Sequence, residues 1–306
     1  MELENKVVLI TGNGSFAKAM INELLELDVD EIRVFSRNEE KQVETKRLFN
    51  DGRIKMIVGD IRDYHALSVA LVGVDVVIHS AALKHIDICE KQPVEAIKTN
   101  VLGSKNVLVA SRLAGVKKVI CLSTDKAANA ETCYGSTKYL MEKMCLGLDH
   151  GDMEVVITRY GNVLGSSGSV VPLFKKLASE GKPLTITDRN ITRFFMTMNQ
   201  AVNLVLIAIW CGENKDLFVY NCKSATIGQL ADLISNNQKI IGLRCVEKTG
   251  EALLTVEELN RSFKFSNELF IVHFQAEHKN NYTEPFTSDN CEKLTDEELK
   301  EMLDNV

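Results

Sequence analysis

The sequence lacks a long hydrophobic run, paired cysteine motifs and clustered metal ligands. Its longest apolar run, Leu204 to Trp210, is far too short to span a bilayer, and no signal-peptide pattern opens the printed sequence. Eight cysteines are scattered without a C-x-x-C pair, which predicts buried free thiols in a reducing compartment. The six histidines show no clustering with cysteine or carboxylate, so no metal is expected. We therefore expect a cytoplasmic protein without membrane association.

The sequence also lacks an excess of positive charge. It carries 36 basic and 42 acidic residues and a net charge of −6, which argues against a nucleic-acid partner. Its 306 residues are enough for one large or two modest domains. No internal repeat or low-complexity linker divides the chain.

What is present is an alternation of apolar strand-like runs and amphipathic helical stretches. We expect strands at 7–10, 32–35, 54–58, 75–79, 118–122 and 154–158, which predicts an α/β fold with a Rossmann-type, doubly wound parallel sheet. The alternation loosens beyond Arg159, where we expect a smaller mixed α/β lobe. The predicted domains are therefore 1–160 and 161–306, with the option that a later segment returns to the Rossmann sheet. Ligands of such sheets bind beyond the carboxyl ends of the strands.

Helices are predicted at 87–112, 134–149 and 199–210, the last of them strongly apolar. Near the carboxyl terminus, Thr295 and Glu298 have the spacing of a capping box.

A glycine-rich segment follows the first predicted strand. The pattern G-x-G-x-x-A runs from Gly12 to Ala17 and precedes an apolar-periodic helix. Glycines allow the backbone to turn sharply and approach a pyrophosphate, and the helix N-terminus offers N–H groups and a positive dipole end. The pattern predicts a dinucleotide cofactor bound by Gly12, Asn13, Gly14, Ser15 and Phe16.

Charged residues after the next two strands bear on which dinucleotide binds. The second strand ends in Ser36-Arg37, where an acidic residue would favour NAD. Arg37 is suited to a 2′-phosphate, with Lys41 as a second candidate, so we predict NADP. The alternative for Arg37 is a solvated loop arginine. After the third strand, Asp60 has two interpretations, an adenine contact or a helix cap.

Two clusters of polar residues follow the fifth strand. The first is Ser123-Thr124-Asp125-Lys126; the second pairs Tyr134 with Lys138, four residues apart and on one helix face. A phenol is a poor base at pH 7 unless a nearby cation stabilises its phenolate. Together with a Ser or Thr hydroxyl at the strand end, the pair can deprotonate an alcohol while a hydride leaves its carbon. The alternative is a surface Tyr and Lys on an ordinary helix.

Taken together, these segments resemble the extended short-chain dehydrogenases/reductases. Within them the chain is most similar to the inverting (C5-epimerising) UDP-N-acetylglucosamine 4,6-dehydratases. The segments that carry the resemblance are Phe35-Ser36-Arg37, Ala81-Ala82-Leu83-Lys84-His85, Lys98-Thr99-Asn100-Val101-Leu102-Gly103, Leu122-Ser123-Thr124-Asp125-Lys126-Ala127-Ala128-Asn129, Tyr134-Gly135-Ser136-Thr137-Lys138, Thr158-Arg159-Tyr160-Gly161-Asn162-Val163, Leu184-Thr185-Ile186-Thr187-Asp188, Thr192-Arg193-Phe194 and Phe286-Thr287-Ser288-Asp289-Asn290.

The resemblance implies a reaction and a role for each site residue. The implied reaction oxidises C4 of UDP-N-acetylglucosamine, eliminates water across C5 and C6 and returns hydride to C6, with Asp125 as the C6 acid and Lys126 as the C5 base. Lys126 must be neutral for this role, and a buried cationic neighbourhood would depress its pKa. Retaining relatives carry Asp-Glu at this pair, so the lysine points to inversion. The implied catalytic set is Thr124, Asp125, Lys126, Tyr134 and Lys138. The implied NADP-binding set is Gly12, Asn13, Gly14, Ser15, Phe16, Ser36, Arg37, Lys41, Asp60, Ile61, Ala81, Ala82, Lys84, Asn100, Tyr134 and Lys138. The implied substrate-binding set is Lys84, Asn162, Lys175, Thr187, Arg193 and Glu251.

Two departures and two alternatives accompany the resemblance. The loop from Thr11 to Ala17 is one residue shorter than the family's usual phosphate loop, and Lys248-Thr249-Gly250-Glu251-Ala252 stands where Arg-Pro-Gly-Glu-Lys is expected. A UDP-N-acetylglucosamine 4-epimerase would share the fold but would not need Asp125 and Lys126. A non-catalytic NADP-sensing protein would commonly lose Tyr134 and Lys138. By resemblance the chain forms a homo-oligomer, a dimer or hexamer.

Overall fold

A computed structural model describes residues 1–166, 168–243, 246–277 and 279–305. Cys245, one of the thiols predicted to be buried, lies outside the described residues, as does Ser167. The strands are β1 (Val7–Thr11), β2 (Glu31–Ser36), β3 (Ile54–Val58), β4 (Val76–His79), β5 (Lys118–Leu122), β6 (Glu154–Arg159), β7 (Asn162–Val163), β8 (Leu184–Ile186), β9 (Thr192–Met196), β10 (Asp216–Tyr220), β11 (Ser224–Thr226), β12 (Gln238–Ile240), β13 (Ala252–Leu254), β14 (Ser262–Ser266), β15 (Leu269–His273) and β16 (Phe286–Thr287). The α-helices are α1 (Ser15–Glu26), α2 (Glu39–Phe49), α3 (Tyr64–Ala70), α4 (Ile86–Lys91), α5 (Pro93–Ala96), α6 (Ser104–Ala114), α7 (Cys133–Gly147), α8 (Val170–Ser179), α9 (Met198–Cys211), α10 (Ile227–Asp232), α11 (Val256–Asn260) and α12 (Asp296–Asp304).

Nine strands form the main sheet, in the order β14-β15-β10-β6-β5-β4-β1-β2-β3. From β3 to β10 all neighbouring strands are parallel, while β15 and β14 are added antiparallel at the other edge. The chain order reverses between β1 and β4, and this switch point is where ligands of open α/β sheets bind. The predicted Rossmann-type α/β fold is confirmed.

Apolar side chains on both faces of the sheet explain why its strands are parallel and buried. Successive residues of β1 enter different core clusters, with Leu9 on one face and Val8 and Ile10 on the other. Strand β4 alternates in the same way, since Val77 lies on the Leu9 side and Ile78 on the other. Strands covered by helices on both faces need such continuous apolar runs.

A smaller region of short strands packs beside the carboxyl end of the sheet. It contains the pairings β11-β9-β7, β12-β8 and β13-β16. Helix α12 is held to it by Leu299 and Leu303, which are buried with Phe195 and Val171. Thr295 and Glu298 form the predicted capping box at the start of this helix. Strands β10, β14 and β15 come from the later part of the chain and belong to the main sheet.

The single helix predicted over 87–112 is wrong. The segment is divided into α4, α5, a π-helical stretch Ile97–Gly103 and α6. Gln92 leaves the helical region with φ −132° and ψ 58°, and Pro93 then starts α5, because proline has no N–H and suits the first position of a helix. None of the helices in the described ranges is long and apolar enough to cross a bilayer. Cys211 is exposed, unlike the buried thiol expected there.

Candidate active site

The phosphate loop fits a dinucleotide at the switch point. Gly12 has φ +90°, and a Cβ atom there would lie 3.2 Å from Ser80 Oγ and 3.3 Å from the backbone of Ala81. Gly14 occupies the N-cap position of α1 and supplies no side-chain acceptor, so the positive end of this helix faces the loop. Asn13 is buried and its Nδ2 has no hydrogen-bond partner within the described residues. An unpartnered buried donor beside an open helix N-terminus suits an anionic ligand.

Other residues of the predicted cofactor-binding set lie on either side of this loop. Ser15 is the first residue of α1, and Phe16 is partly buried against both core clusters of the sheet. Ala81 donates its N–H to Thr11 Oγ1 at 3.2 Å, and Ala82 follows it in the same half-buried turn.

The ends of β2 and β3 place charges beside the loop. Arg37 is about half exposed, with its Nη1 3.9 Å from Asp60 Oδ2. Asp60 is held more closely by Arg62, whose Nη2 lies 2.6 Å from the same oxygen. Helix α3 is capped by Asp63, so the cap interpretation of Asp60 is wrong. Ser36 Oγ accepts a hydrogen bond from Gln42 Nε2 at 2.9 Å.

Two lysines of the predicted cofactor site lie close enough for their charges to interact. Burial lowers the pKa of Lys84, and the positive charge of Lys41 lowers it further. Two neighbouring ammonium groups form a natural site for phosphate oxygens. Ile61, by contrast, is buried against Gly103, where a Cβ atom would lie 2.8 Å from the Ile61 Cδ1. Its side chain is therefore part of the core.

Asn100, a predicted cofactor ligand, supports the loop after β4. Its Oδ1 accepts from the Leu83 N–H at 2.8 Å, and its Nδ2 donates to the Leu83 carbonyl and to Thr137 Oγ1, both at 2.9 Å. The side chain is fully buried in the π-helical stretch. Its amide fixes the backbone that carries Lys84.

At the end of β5 a short 3-10 turn, Asp125–Ala127, presents two of the predicted catalytic groups. Thr124 Oγ1 donates to Asp125 Oδ1 at 2.9 Å. Lys126 Nζ lies 3.1 Å from the same oxygen. Asp125 is buried, and its Oδ2 has no partner within the described residues.

Tyr134 and Lys138 lie on α7 next to this turn, and burial is the largest influence on the pKa of both side chains. Burial raises the pKa of Tyr134 to about 12, while the charge of Lys126 and a hydrogen bond with Thr124 act in the opposite direction. Lys138 Nζ donates to Met141 Sδ at 3.0 Å, and burial lowers its pKa. The positive charge of Lys126 lowers the pKa of the Tyr134 phenol and so favours its ionised form.

A carboxylate from the smaller region completes the cluster. Glu251 Oε1 lies 3.2 Å from Lys126 Nζ, so the lysine sits between two carboxylates. Burial alone would lower the pKa of Lys126, but the charges of Asp125 and Glu251 outweigh it and the pKa is raised. The predicted depression of this pKa by cationic neighbours is wrong, because the neighbours that dominate are acidic.

A cleft of about 180 Å³ opens beside these groups. Lys126, Asn162, Arg193 and Glu251 line it, together with Lys248. The cleft thus combines cationic and amide donors with the acid-base cluster. Such a mixture suits an anionic, hydroxyl-rich ligand.

The remaining predicted substrate residues are placed differently. Arg193 donates to the Thr192 and Lys248 carbonyls, both at 2.8 Å, so its guanidinium supports the cleft wall. Thr187 Oγ1 donates at 3.1 Å to Glu247 Oε1, and Glu247 lines the cleft. Lys175 donates to the Leu303 carbonyl at 2.9 Å and holds the carboxyl-terminal helix. The substrate contacts expected of these three residues stay predictions.

Comparison with known proteins identifies the family. The model of the family described as "Polysaccharide biosynthesis protein" matches residues 8–273. The chain belongs to this family. Two curated relatives, both named UDP-glucose 4-epimerase, are 39% identical: that of Rickettsia bellii covers 99% of this chain and 96% of its own, and that of Rickettsia massiliae covers 98% and 95%.

Solved structures agree with this assignment. The X-ray structure of Pen from Bacillus thuringiensis is 32% identical, with a TM-score of 0.94, and covers 100% of this chain and 98% of its own. DesIV, a dTDP-glucose 4,6-dehydratase from Streptomyces venezuelae solved with NAD, has a TM-score of 0.71 at 21% identity over 78% of this chain and 85% of its own, which shows the fold alone. This polysaccharide biosynthesis protein is thus an enzyme of the nucleotide-sugar epimerase/dehydratase kind, with the extended short-chain dehydrogenase/reductase fold.

This family member also contains a buried ion-pair network that the sequence analysis missed. Arg159 Nη2 lies 2.6 Å from Glu142 on α7, and its Nη1 lies 2.8 Å from Glu258 on α11. Arg159 also donates to the Leu253 carbonyl at 2.8 Å. The signal was available, because a charged residue that closes an apolar strand needs a buried partner. The network ties the catalytic helix to the segment that carries Glu251.

A second missed residue is His79, at the end of β4. Its Nδ1 lies 2.7 Å from Thr11 Oγ1 and its Nε2 lies 2.8 Å from Ser104 Oγ. Burial lowers the pKa of His79 to about 3, so the ring is neutral. It links β1, β4 and α6 directly beneath the phosphate loop.

Proposed function

We propose that this protein is an NADP-dependent UDP-N-acetylglucosamine 4,6-dehydratase that inverts C5 and forms UDP-2-acetamido-2,6-dideoxy-β-L-arabino-hex-4-ulose. The observation that carries the proposal is the acid-base cluster of Asp125, Lys126 and Glu251 beside Tyr134. Epimerisation at C4 requires hydride and proton transfer at that carbon only, which one phenol can serve. Additional acid and base groups are needed when a proton leaves C5 and a hydroxyl leaves C6.

Each group is assigned a step. Tyr134 takes the proton of the C4 hydroxyl, with Thr124 holding that hydroxyl and Lys126 favouring the phenolate. Lys126 removes the C5 proton, which the adjacent C4 ketone has made acidic. Asp125 protonates the C6 hydroxyl so that it leaves as water, and Oδ2 is the oxygen suited to this because it lacks a partner within the described residues. NADP, when bound, accepts hydride from C4 and returns it to C6.

The residues suited to hold NADP lie at the phosphate loop, around the end of β2 and on α7. Asn13 and the start of α1 are assigned to the pyrophosphate, because they combine an unpartnered buried amide with a helix N-terminus. Arg37 and Lys41 are assigned to the 2′-phosphate, since Arg37 is half exposed and held by one long ion pair. Lys138 is assigned to the nicotinamide ribose.

The UDP-sugar is assigned to the 180 Å³ cleft. Lys248 replaces the arginine expected at its position, and its Nζ lies 3.4 Å from Glu131 and donates to the Asn129 carbonyl. It can meet a phosphate as a point charge. Asn162 is placed to donate to the diphosphate or the sugar.

A homo-oligomer, a dimer or hexamer, is also proposed. Helices α4 and α7 pack together, and each exposes apolar side chains, among them Ile88, Tyr139 and Leu140. Burying such a patch favours self-association. Analytical ultracentrifugation of the wild type and of Leu140→Glu tests this, with a monomeric wild type contradicting it.

The names of the Rickettsia relatives favour a second candidate, a UDP-sugar 4-epimerase. One experiment separates the two: UDP-N-acetylglucosamine and UDP-glucose are each incubated with the purified protein and NADP in water and in heavy water, and products are analysed by mass spectrometry and NMR. Loss of one water from UDP-N-acetylglucosamine with deuterium at C5 is expected. A C4 epimer of unchanged mass from either substrate would contradict the dehydratase and support the epimerase.

Two variants test the role assigned to Lys126 in the same assay. Lys126→Met should abolish water loss, because it removes the proposed C5 base. Lys98→Ala is the matched control, since this exposed lysine is paired with Glu95 at 2.9 Å on the protein surface. Water loss by Lys126→Met at the rate of the control would contradict the assignment of Lys126.

A further inference from the structure

A buried carboxylate is fixed against the proposed C5 base. Glu251 is 4% exposed, and its Oε1 lies 3.2 Å from Lys126 Nζ and 4.0 Å from Arg193 Nε. Its second oxygen, Oε2, is buried and has no hydrogen-bond partner within the described residues. An unsatisfied buried carboxylate oxygen is costly unless it binds a proton or a ligand.

The backbone of Glu251 is held from both sides by the carboxyl-terminal segment. Its N–H donates to Ser288 Oγ at 2.9 Å, and its carbonyl accepts from the Ser288 N–H at 2.8 Å. Asp289 packs against Gly250 so closely that a Cβ atom there would lie 2.1 Å from Asp289 Oδ2. These contacts continue the β13-β16 strand pairing and hold the backbone of Glu251 beside the turn that carries Lys126.

The proposed reaction requires a neutral Lys126, and therefore a group that can take its proton. Lys126 lies between two carboxylates, which favours its ammonium form, and an ammonium has no lone pair to accept the C5 proton. The acceptors within ion-pair distance of Nζ are Asp125 and Glu251. In the proposed reaction Asp125 enters the elimination as the carboxylic acid that protonates the C6 hydroxyl, so Glu251 is the carboxylate left to take a proton from Lys126.

We infer that Glu251 is the proton acceptor that converts Lys126 into the C5 base, a role that rests on the proposed dehydratase function. A proton moves from Lys126 Nζ to a carboxylate oxygen of Glu251, leaving a neutral amine and a neutral carboxylic acid. The amine lone pair then forms a bond to the C5 proton, and the C5–H electrons enter the enolate. The enolate electrons form the C5–C6 double bond as the C6–O bond breaks, and the departing hydroxyl takes the proton of Asp125 and leaves as water. Burial raises the pKa of Glu251, which is the direction that helps it to hold the proton.

The test compares Glu251→Gln with the wild type in two assays. The first is the rate of deuterium incorporation at C5 in heavy water, and the second is NADPH formation from C4 oxidation, followed by absorbance in a single turnover. Gln keeps the size of the side chain but cannot accept the proton. We expect C5 exchange to fall by about 100-fold or more, as is typical for loss of an acid-base partner, while NADPH still forms and now persists.

Controls separate proton transfer from a structural effect. Asp216→Asn neutralises another buried carboxylate, which pairs with His273 on the main sheet, and should exchange at the wild-type rate. If Glu251→Gln does not fold, Glu251→Asp decides the question. It should slow exchange about tenfold and retain C4 oxidation.

Each other result counts against the inference. Exchange by Glu251→Gln within threefold of the wild type would overturn it, as would equal loss of C4 oxidation and C5 exchange, or unchanged exchange in Glu251→Asp. Failure of the proposed function is seen separately, because wild-type protein would then incorporate no deuterium at C5.

Discussion

The carbonyl oxygen of Lys126 lies 2.2 Å from the position that a Cβ atom on Gly135 would occupy. The turn Asp125–Ala127 therefore packs directly on the backbone of α7, one residue after Tyr134. A glycine at this position is what allows the acid-base turn and the phenol to meet. The spacing of the two motifs in the sequence follows from this contact.

Gly135→Ala should accordingly disrupt the site. The added methyl group must displace the backbone of Lys126, since a carbonyl cannot move aside as a flexible side chain can, and overpacking of this kind costs about 1–3 kcal/mol. We expect turnover of UDP-N-acetylglucosamine to fall at least tenfold. Gly147→Ala is the control, because a methyl group added there, on the same helix, would meet no atom of the described residues within 4 Å; it should leave turnover unchanged and slightly raise thermal stability. Equal turnover in both variants would contradict the packing argument.

The elements of this site that could be predicted from the sequence are those written in local patterns. The six strands of the first half, the loop around Gly12 and the helix carrying Tyr134 all depend on periodicity or short spacing, and the structure places each of them within one residue or two of the expected position. The capping box at Thr295 is local in the same sense.

What could not be predicted depends on contacts between distant segments. Glu251 meets Lys126 only because the smaller region folds over the end of β5, and the charges of Asp125 and Glu251 together reverse the expected pKa direction of Lys126. The support that Asn100 gives to the loop after β4 could not be predicted, because its three hydrogen bonds to Leu83 and Thr137 have no sequence signature. Local patterns locate a residue along the chain but do not reveal its buried partners.

Replacing Arg159 by Met should destabilise the protein strongly. Two glutamates, Glu142 and Glu258, would be left buried without their cation, and breaking a buried ion pair in this way costs about 3–5 kcal/mol. The free energy of unfolding, measured in urea, should fall by that amount. Arg112→Ala, which breaks an exposed pair with Asp149, should cost less than about 1 kcal/mol. Similar losses in both variants would show that the buried network is not a stabilising link.

Arg37→Ala should weaken NADP binding selectively. A charged hydrogen bond to the 2′-phosphate is worth about 1.5–3 kcal/mol, so the Kd for NADP should rise about tenfold or more while that for NAD stays the same. Isothermal titration with each dinucleotide measures this. Arg47→Ala, an exposed arginine later on α2, serves as the control and should change neither value. Parallel weakening of both dinucleotides by Arg37→Ala would argue against a 2′-phosphate contact.

The buried His79 should make stability fall in mild acid. Its pKa is about 3 in the folded protein and near 6.5 when unfolded. Between these values the unfolded state binds the extra proton, so the free energy of unfolding decreases as pH drops below 6.5, by about 1.4 kcal/mol per pH unit. From pH 6.5 to pH 5 the loss is about 2 kcal/mol.

Urea unfolding of His79→Gln at both pH values isolates this contribution. The variant should be less stable at pH 7, because Thr11 and Ser104 lose their partner, yet its stability should decline less on acidification. His65→Gln, at an exposed position, should keep the wild-type decline. If the free energy of unfolding falls equally on acidification in His79→Gln and His65→Gln, the folded protein does not bury a neutral His79.

Ser288→Ala should lower turnover through Glu251 without changing cofactor affinity. The serine hydroxyl accepts the Glu251 N–H at 2.9 Å, and its removal leaves a buried donor unsatisfied, at a cost of about 1–3 kcal/mol. The freed segment would let the carboxylate drift from Lys126, so C5 exchange should fall several-fold while the Kd for NADP is retained. Ser262→Ala removes a buried serine that donates to the Leu259 carbonyl at 2.9 Å on edge strand β14. It should lose comparable stability and keep its exchange rate. If both serine variants exchange at the same rate, the carboxyl-terminal segment stabilises the fold but does not position Glu251.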